Sequence, residues 1–212
     1  MWHEIEQNDS EWFELRLGKV TGSVVASVMA NSIKSGVFNP KAPWGLPAKK
    51  LALKLALERM TNLRNTNSYK NSYMGAGHEF EPVAIEAYEE RKMLEVTKGG
   101  FFSNGWTGDS PDGLVGENGV IEVKSVIPSV QFERLEKGGI DSAYKWQLQN
   151  HLWLSGRSWC EYVSYCYAPE FIDSKRLYIH RVYRNEEMIS QMVKRVNEFQ
   201  KFILNRIEIL QQ

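Results

Sequence analysis

Apolar residues repeat with a helical period in the first third of the chain. Residues 10–17 predict a short helix, and Thr21 is placed to cap a second helix that runs through Val28. A polar loop containing glycine and proline follows at residues 31–46. Pro47 then begins a third helix, because proline is favoured in a first turn and apolar residues recur behind it every three or four positions.

The middle of the chain changes from a helical to an alternating pattern. After a predicted link at residues 69–77, residues 79–93 predict a helix in which Pro82 is tolerated only in the first turn. Glu81 is therefore expected near the N-terminus of that helix. Residues 100–126 predict a sheet, because β-branched and aromatic residues recur there between turn residues.

The last part of the chain completes the pattern. Residues 142–155 predict a helix, residues 158–168 and 176–183 predict strands, and residues 188–210 predict a long amphipathic helix. The order of helix, sheet, helix and sheet predicts an α/β fold. Because the chain has 212 residues, 42% of them hydrophobic, and no linker-like segment, we expect a single domain over residues 1–212.

The charge of the chain is balanced overall but not locally. A formal net charge of zero argues against a protein that coats nucleic acid by bulk attraction alone. Residues 34–70, however, contain eight basic residues and one acid, Glu58, which is a local excess of seven. This segment is either part of a DNA path or the solvated face of a helix and loop.

Two further features predict a cytosolic protein. No apolar run approaches the roughly eighteen residues that span a bilayer, and the N-terminus lacks the form of a signal peptide.

Cys160 and Cys166 lie six residues apart on a predicted strand. An extended strand would separate them by about 20 Å, which is too far for a disulfide. We therefore interpret both cysteines as core residues.

A charged hairpin is predicted within the sheet segment. Residues 118–119 are Asn-Gly, the strongest short hairpin signal, and apolar residues flank them. Because side chains alternate along a strand, Glu122 and Lys124 point to the same face. With Asp112 nearby, three charged groups would share a partly buried place, which is costly unless a divalent cation and an anionic substrate compensate them. Alone, the pattern is also typical of a surface hairpin.

The number of residues between Asp112 and Glu122 means that the first strand must bend if these two side chains are to meet. A flush two-residue turn would place Val115 opposite Glu122 and leave Asp112 three residues, or roughly 10 Å, further along the strand. Pro111 and Gly113 flank the aspartate and are residue types that interrupt regular pairing. We therefore expect a bulge or sharp bend that brings Asp112 towards Glu122.

Six short blocks, in order, carry a resemblance to a known family: Trp12…Arg16, Thr21-Gly22-Ser23, Gly77-x-x-x-Glu81-Pro82, Ser110-Pro111-Asp112-Gly113, Glu122-Val123-Lys124 and Tyr144-x-x-Gln147-x-Gln149. Together they resemble the YqaJ-type viral recombinases, the phage lambda exonuclease family within the PD-(D/E)XK nuclease superfamily. The resemblance runs from Trp12 to the C-terminal helix. It implies a restriction-endonuclease-like fold, with a mixed sheet flanked by helices in a single domain.

The resemblance also implies a metal site. Asp112, Glu122, the carbonyl of Val123 and Glu81 would hold divalent metal, with two Mg²⁺ ions expected and Mn²⁺ as a substitute. Hard carboxylate oxygens suit such ions, which supply a hydroxide and relieve charge in phosphodiester hydrolysis. Glu81 taken alone is more typical of a helix cap. Lys124 would orient the attacking water and stabilise charge, either as a base or as an electrostatic aid.

A pocket for the 5′-terminal phosphate is implied as well, formed by Arg16, Ser23, Ser110 and Gln147. Guanidinium, hydroxyl and amide donors suit a phosphate, and a helix begins near Ser23. Gln149 is the alternative to Gln147 if the register slips by two residues. Met74 matches an apolar residue that wedges between the strands of the duplex, or it is a loop methionine packed on the core. His151 shares a helix face with Gln147 and could therefore neighbour the site, but a lone histidine on a helix is more often structural, and we interpret it so.

The function implied is a Mg²⁺-dependent, processive 5′-to-3′ exonuclease on the ends of linear double-stranded DNA. It would release mononucleotides and leave a 3′ overhang for phage-type recombination by single-strand annealing. A ring-shaped homotrimer, a phage single-strand annealing protein as partner, and a cytoplasmic location in a bacterial host, as a phage or prophage protein, are implied too. Two alternatives stay open: an endonuclease or junction resolvase of the same superfamily, and a non-catalytic DNA-binding protein. Residues 31–46 and 128–140 do not match the family.

Overall fold

The computed structural model describes residues 1–31, 33–34, 37–38, 43–64 and 72–212, with side chains described for all of these except residues 33–34, 37–38 and 72–78. In chain order the elements are β1 (Trp2–His3), α1 (Ser10–Arg16), β2 (Val20–Thr21), α2 (Gly22–Met29), β3 (Ile33–Lys34), β4 (Val37–Phe38), α3 (Leu46–Thr61), α4 (Ser72–Lys92), β5 (Val96–Lys98), β6 (Phe101–Asn104), β7 (Thr107–Asp109), β8 (Gly113–Val115), β9 (Gly119–Val126), α5 (Pro128–Lys137), α6 (Lys145–Ser155), β10 (Trp159–Cys166), β11 (Leu177–Tyr183) and α7 (Glu186–Gln211).

Contacts divide the chain into two compact units. Unit 1 comprises Met1–Thr66, Gly100–Ser110 and Asn185–Gln212, and unit 2 comprises Asn67–Gly99 and Pro111–Arg184. Each unit is built from segments that are distant in sequence, so a simple cut in the chain does not separate them. One domain over residues 1–212 stays a prediction.

Unit 1 carries a four-stranded sheet in the order β1-β6-β7-β2, together with α1, α2, α3 and α7. The predicted helices are confirmed with small changes at their ends. Asp9 caps α1, and its carboxylate accepts a hydrogen bond from the Trp12 backbone at 2.7 Å. Thr21 precedes α2 as predicted, although its side chain makes no capping hydrogen bond. Most of the predicted loop at 31–46 lies outside the described residues.

Unit 2 carries a five-stranded mixed sheet in the order β11-β10-β9-β8-β5. β9 and β10 run parallel, and the other neighbouring strands are antiparallel. Ile121 and Val123 pack with α4, whereas Val120 packs with α6 on the opposite face. Because side chains alternate along β9, Glu122 and Lys124 point to the α6 face.

The start of α4 differs from the prediction. Residues 72–77 are helical rather than a link, and residues 69–71 lie outside the described residues. Pro82 therefore lies inside the helix, and Glu81 is its tenth residue, so both N-terminal predictions were wrong. Proline removes one helical hydrogen bond. Burial of Ala84 and Tyr88 against the sheet compensates for that loss.

The structure also bears on the cysteines, on residues 128–140 and on membrane-spanning helices. Cys160 and Cys166 are free and buried, which confirms the interpretation as core residues. Residues 128–140, which had no assigned element, contain α5. Within the described ranges, the structure has no helix both long enough and apolar enough to cross a bilayer.

Candidate active site and phosphate pocket

The turn between β8 and β9 sets the geometry of the charged hairpin. Val115 pairs with Gly119 and Leu114 with Val120, so the turn covers residues 116–118 rather than Asn-Gly alone. Gly116 supplies the positive φ, at 51°. The predicted two-residue turn was therefore wrong.

Gly119 is needed for a different reason. A Cβ atom at this position would lie 2.1 Å from the ring of Trp159. The Asn118 carbonyl also accepts backbone hydrogen bonds from Ser158 at 3.0 Å and Trp159 at 3.2 Å. The Asn-Gly pair is thus held by the neighbouring strand β10, and the glycine permits a close approach instead of a turn.

The register of β8 and β9 brings Asp112 beside Glu122. Gly113 pairs with Ile121, so the next residue on each strand brings Asp112 level with Glu122. Asp112 accepts a hydrogen bond from the backbone N–H of Val123 through Oδ2 at 2.6 Å. The chain bends at Asp112, but the three-residue offset that a bulge was expected to absorb does not exist.

Glu122 lies at the centre of the cluster and is almost fully buried. Its Oε1 accepts hydrogen bonds from Lys124 Nζ and, at 2.6 Å, from Gln147 Nε2. Its Oε2 lies 2.8 Å from His151 Nε2. Gln147 and His151 are one helical turn apart on α6, so one helix supplies partners to both carboxylate oxygens.

Electrostatics distinguish the two carboxylates. Burial and the charge of Glu122 raise the pKa of Asp112, and the charge of Glu81 adds to this rise. Burial alone would raise the pKa of Glu122, but Lys124 and His151 overcome it and lower that pKa to about 2. Burial alone would lower the pKa of Lys124, but Glu122 and Asp112 raise it above its usual value. Lys124 is thus a firmly held cation beside two acids.

The donor set fits a divalent cation, although the side chains are not in ligating positions. Across the described ranges, no three His, Cys, Asp or Glu side chains are grouped closely enough to hold a metal ion. The two Glu122 oxygens contact Lys124, Gln147 and His151. Buried Glu122 and half-buried Asp112 repel each other, and with Glu81 acting on Asp112 they offer the hard oxygen ligands that Mg²⁺ prefers.

Three of the four residues predicted to bind the terminal phosphate are linked within unit 1. The Arg16 guanidinium lies over the Trp12 ring at 3.9 Å, and Trp12 Nε1 donates to Ser110 Oγ at 2.6 Å. Arg16 also contacts Thr21 Oγ1 at 3.4 Å, and Thr21 Oγ1 lies 3.3 Å from Ser23 Oγ. The fourth residue, Gln147, belongs to unit 2 and donates to Glu122 there.

Arg16 is a partly desolvated cation. Burial lowers its pKa to about 10, the charge of Asp109 opposes this shift, and the charge of Arg64 adds to it. Arg64 and Arg59 are themselves stacked on aromatic rings, at 3.5 Å from Phe13 and 3.3 Å from Trp106. The described part of the basic segment is therefore not simply a solvated face, because two of its cations are fixed on rings.

Trp12, Thr21 and His151 are the residues whose parts in the site were not predicted. Trp12 and Arg16 are four residues apart on α1, as are Gln147 and His151 on α6. That spacing is the signal that would have paired Trp12 with Arg16, whereas for His151 it gave only the shared helix face with Gln147. The Met74 side chain lies outside the described residues, so its predicted role as a wedge is unchanged.

A glycine next to the site gives a direct prediction. A Cβ atom at Gly99 would lie 1.9 Å from the carbonyl oxygen of Pro111, which is backbone and precedes Asp112. We expect Gly99→Ala to destabilise the protein by about 1–3 kcal/mol and to lower nuclease activity by displacing Asp112. Thermal unfolding and a cleavage assay measure the two effects.

Gly105→Ala provides the control for this prediction. Its Cβ would meet nothing within 4 Å, but φ is +55°, so the cost is only backbone strain of about 1–2 kcal/mol. Equal activity of the two variants at equal stability would contradict the link between Gly99 and Asp112.

Comparisons with known proteins identify the family and the fold. The family model for the YqaJ-like viral recombinase domain matches residues 11–158. The fold is similar to that of an alkaline exonuclease, LHK-Exo, from Laribacter hongkongensis, with a TM-score of 0.82 and 29% identity over 96% of each chain. A structure of LHK-Exo in complex with dAMP is 30% identical, with a TM-score of 0.82, over 95% of this chain and 96% of that one.

A phage related exonuclease from Haemophilus somnus 129PT has a similar fold, with a TM-score of 0.70 and 17% identity over 91% of this chain and 96% of that one. No curated protein sequence matches the chain significantly. The predicted α/β class, a restriction-endonuclease-like mixed sheet flanked by helices, is confirmed by the likeness to LHK-Exo. The chain therefore belongs to the YqaJ-like viral recombinase family, and this membership supports a nuclease function.

Proposed function

We propose that the chain is a divalent-metal-dependent exonuclease that degrades the 5′ strand of linear double-stranded DNA. The observation that carries the proposal is the cluster of buried Glu122 with half-buried Asp112 and Lys124 in a chain of this family. Mononucleotide release, a 3′ overhang and service to phage-type recombination are part of the same proposal. So are the ring-shaped homotrimer, the annealing-protein partner and the cytoplasmic location.

The residues of the cluster have distinct chemical roles. Asp112, Glu122 and Glu81, with the Val123 carbonyl, would hold two Mg²⁺ ions, or Mn²⁺ as a substitute. When bound, these ions supply a hydroxide at neutral pH and relieve charge on the phosphate. Gln147 fixes Glu122 from α6 by donating to Oε1.

Lys124 acts as a cation in this proposal. In the metal-free protein, Glu122 and Asp112 raise its pKa, which disfavours a neutral Lys124 that could accept a proton from water. It instead donates hydrogen bonds, which orient the attacking water and stabilise negative charge on the phosphate oxygens. This favours the electrostatic alternative over the general base.

The direction of digestion would come from recognition of the terminal phosphate. Arg16, Ser23 and Ser110 would bind this phosphate, and contacts through Trp12 and Thr21 link them within unit 1. A phosphate would offset the desolvation that lowers the pKa of Arg16. Gln147 in this pocket and Met74 as a wedge between the strands remain predictions.

The central test compares three DNA substrates, each with Mg²⁺ and with a chelator. The substrates are linear duplex with 5′-phosphate, linear duplex with 5′-hydroxyl, and closed circular duplex. Fast loss of the 5′-phosphorylated duplex, only with metal, is the expected result. Metal-dependent cutting of the closed circle would instead identify an endonuclease. Absence of cutting in all cases would leave a DNA-binding protein.

A variant of Arg16 tests the phosphate pocket. We expect Arg16→Lys to reduce the preference for 5′-phosphate over 5′-hydroxyl ends by about 10- to 100-fold, because lysine cannot donate two parallel hydrogen bonds to phosphate. The measurement is kcat/KM on both ends. Arg206→Lys is the matched control, since Arg206 also stacks on a ring, Phe202 at 4.5 Å, but outside the pocket. An unchanged preference in Arg16→Lys would remove Arg16 from the pocket.

A further inference from the structure

His151, on α6, contacts the carboxylate of Glu122 at the centre of the cluster. It is 1% exposed and Glu122 is 2% exposed, and His151 Nε2 lies 2.8 Å from Glu122 Oε2. The sequence alone suggested a structural histidine, but this contact joins it to a residue of the proposed chemistry.

The partners of Glu122 are divided between its two oxygens. Lys124 and Gln147 donate to Oε1, whereas His151 faces Oε2. A carboxylate held at one oxygen can still rotate, because the terminal torsion of a glutamate side chain has a broad energy minimum. A close polar contact at the second oxygen restrains the plane of the group. His151 is the partner at Oε2.

The helix that carries His151 is firmly anchored. Leu148 and Leu152 on α6 are fully buried against Val120 and Tyr162 of the sheet. Gly156 ends the helix in the left-handed conformation, with φ at 72°. His151 therefore reaches Glu122 from a fixed backbone, which is the condition for holding a side chain in one orientation.

We propose that His151 is a positioning residue that fixes the Glu122 carboxylate for binding of the divalent metal. This inference rests on the proposed function. It gives His151 no contact with DNA or with the reacting atoms. Groups that orient a metal ligand typically change metal affinity by about 10- to 100-fold when they are replaced.

Two amide substitutions separate positioning from packing. In His151→Gln the side-chain nitrogen can occupy the place of Nε2, so the polar contact with Glu122 Oε2 is retained. In His151→Asn the same amide is one methylene shorter and cannot reach. His180→Asn is the matched control, because His180 is a half-buried histidine on β11 of the same unit, stacked on Tyr178.

The main readout is Ca²⁺ affinity by calorimetry, which needs no turnover. We expect His151→Asn to weaken Ca²⁺ binding about 10- to 100-fold and His151→Gln to stay within about threefold of the original protein. The Mg²⁺ concentration for half-maximal cleavage should shift in parallel. Affinity for DNA ends in chelator should not change, and His180→Asn should resemble the original protein throughout.

Each of the other outcomes would overturn either the positioning role of His151 or the proposed function. Equal Ca²⁺ affinity in the two His151 variants would overturn the positioning role and leave the nuclease intact. Failure of the unmodified protein to bind metal or cut DNA would overturn the proposed function together with this inference. If His151→Asn does not fold, NMR on the unmodified protein replaces it. The ring nitrogen resonances of His151 should move when Ca²⁺ is added, and constant resonances would overturn the proposal.

Discussion

Replacing Asp112 with asparagine should abolish cleavage and stabilise the metal-free protein. Asparagine keeps the size of the side chain and an oxygen that can accept from the Val123 N–H. It removes the negative charge that a divalent metal requires, so activity should fall by about 10³-fold or more, which corresponds to about 4 kcal/mol of transition-state stabilisation. Cleavage of 5′-phosphorylated duplex measures the loss.

The free energy of unfolding of Asp112→Asn should rise, whereas its activity should fall. Burial and the charges of Glu122 and Glu81 raise the pKa of Asp112, so its ionisation destabilises the folded state as the pH rises above about 4. Asparagine does not ionise. The unfolding temperature of Asp112→Asn in chelator should therefore exceed that of the original protein at neutral pH, and the difference should shrink as the pH is lowered towards about 4. A difference independent of pH would contradict this electrostatic account.

A second buried acid in unit 2 shows why the charge of Asp112 indicates function. Glu161 is 1% exposed, but Tyr88 donates to it at 2.5 Å, Lys92 at 2.8 Å and Arg181 at 3.1 Å. Burial alone would raise the pKa of Glu161, but these donors lower it. Asp112 differs, since its pKa is raised beside two further acids. A compensated acid stabilises a fold, whereas an under-compensated one fits a cation.

Much of the fold followed from local pattern. The alternation along β9 placed Glu122 and Lys124 on one face, and the four-residue period defined α1, α3 and α6. These features depend on residues that are close in sequence, so a single sequence is enough to predict them.

The wrong predictions concern positions whose structure depends on contacts with residues distant in sequence. Trp159 occupies the space above Gly119, and this long-range contact changes both the reason for the glycine and the register of the hairpin. Pro82 lies inside α4 because burial of Tyr88 against the sheet outweighs one lost hydrogen bond. The role of His151 depends on the packing of α6 against β9, and no local pattern specifies that contact.

Replacing Lys124 with methionine should lower activity and stability together. Loss of the cation should slow cleavage about 10²- to 10³-fold, the range for removal of one donor to a developing negative charge. The metal-free protein should lose about 3 kcal/mol, the lower end for a broken buried pair, because Glu122 keeps Gln147 and His151. Cleavage rates and unfolding in chelator measure these effects, and Lys145→Met is the control.

The pH dependence of the same variant decides how Lys124 acts. Glu122 and Asp112 raise the pKa of Lys124 in the metal-free protein. The proposed cationic role means that titration of Lys124 does not produce the rising limb of the plot of cleavage rate against pH. Lys124→Met should therefore lower kcat by a constant factor at every pH and leave that limb in place. Loss of the limb in the variant would show that Lys124 accepts a proton, and the electrostatic role would then be wrong.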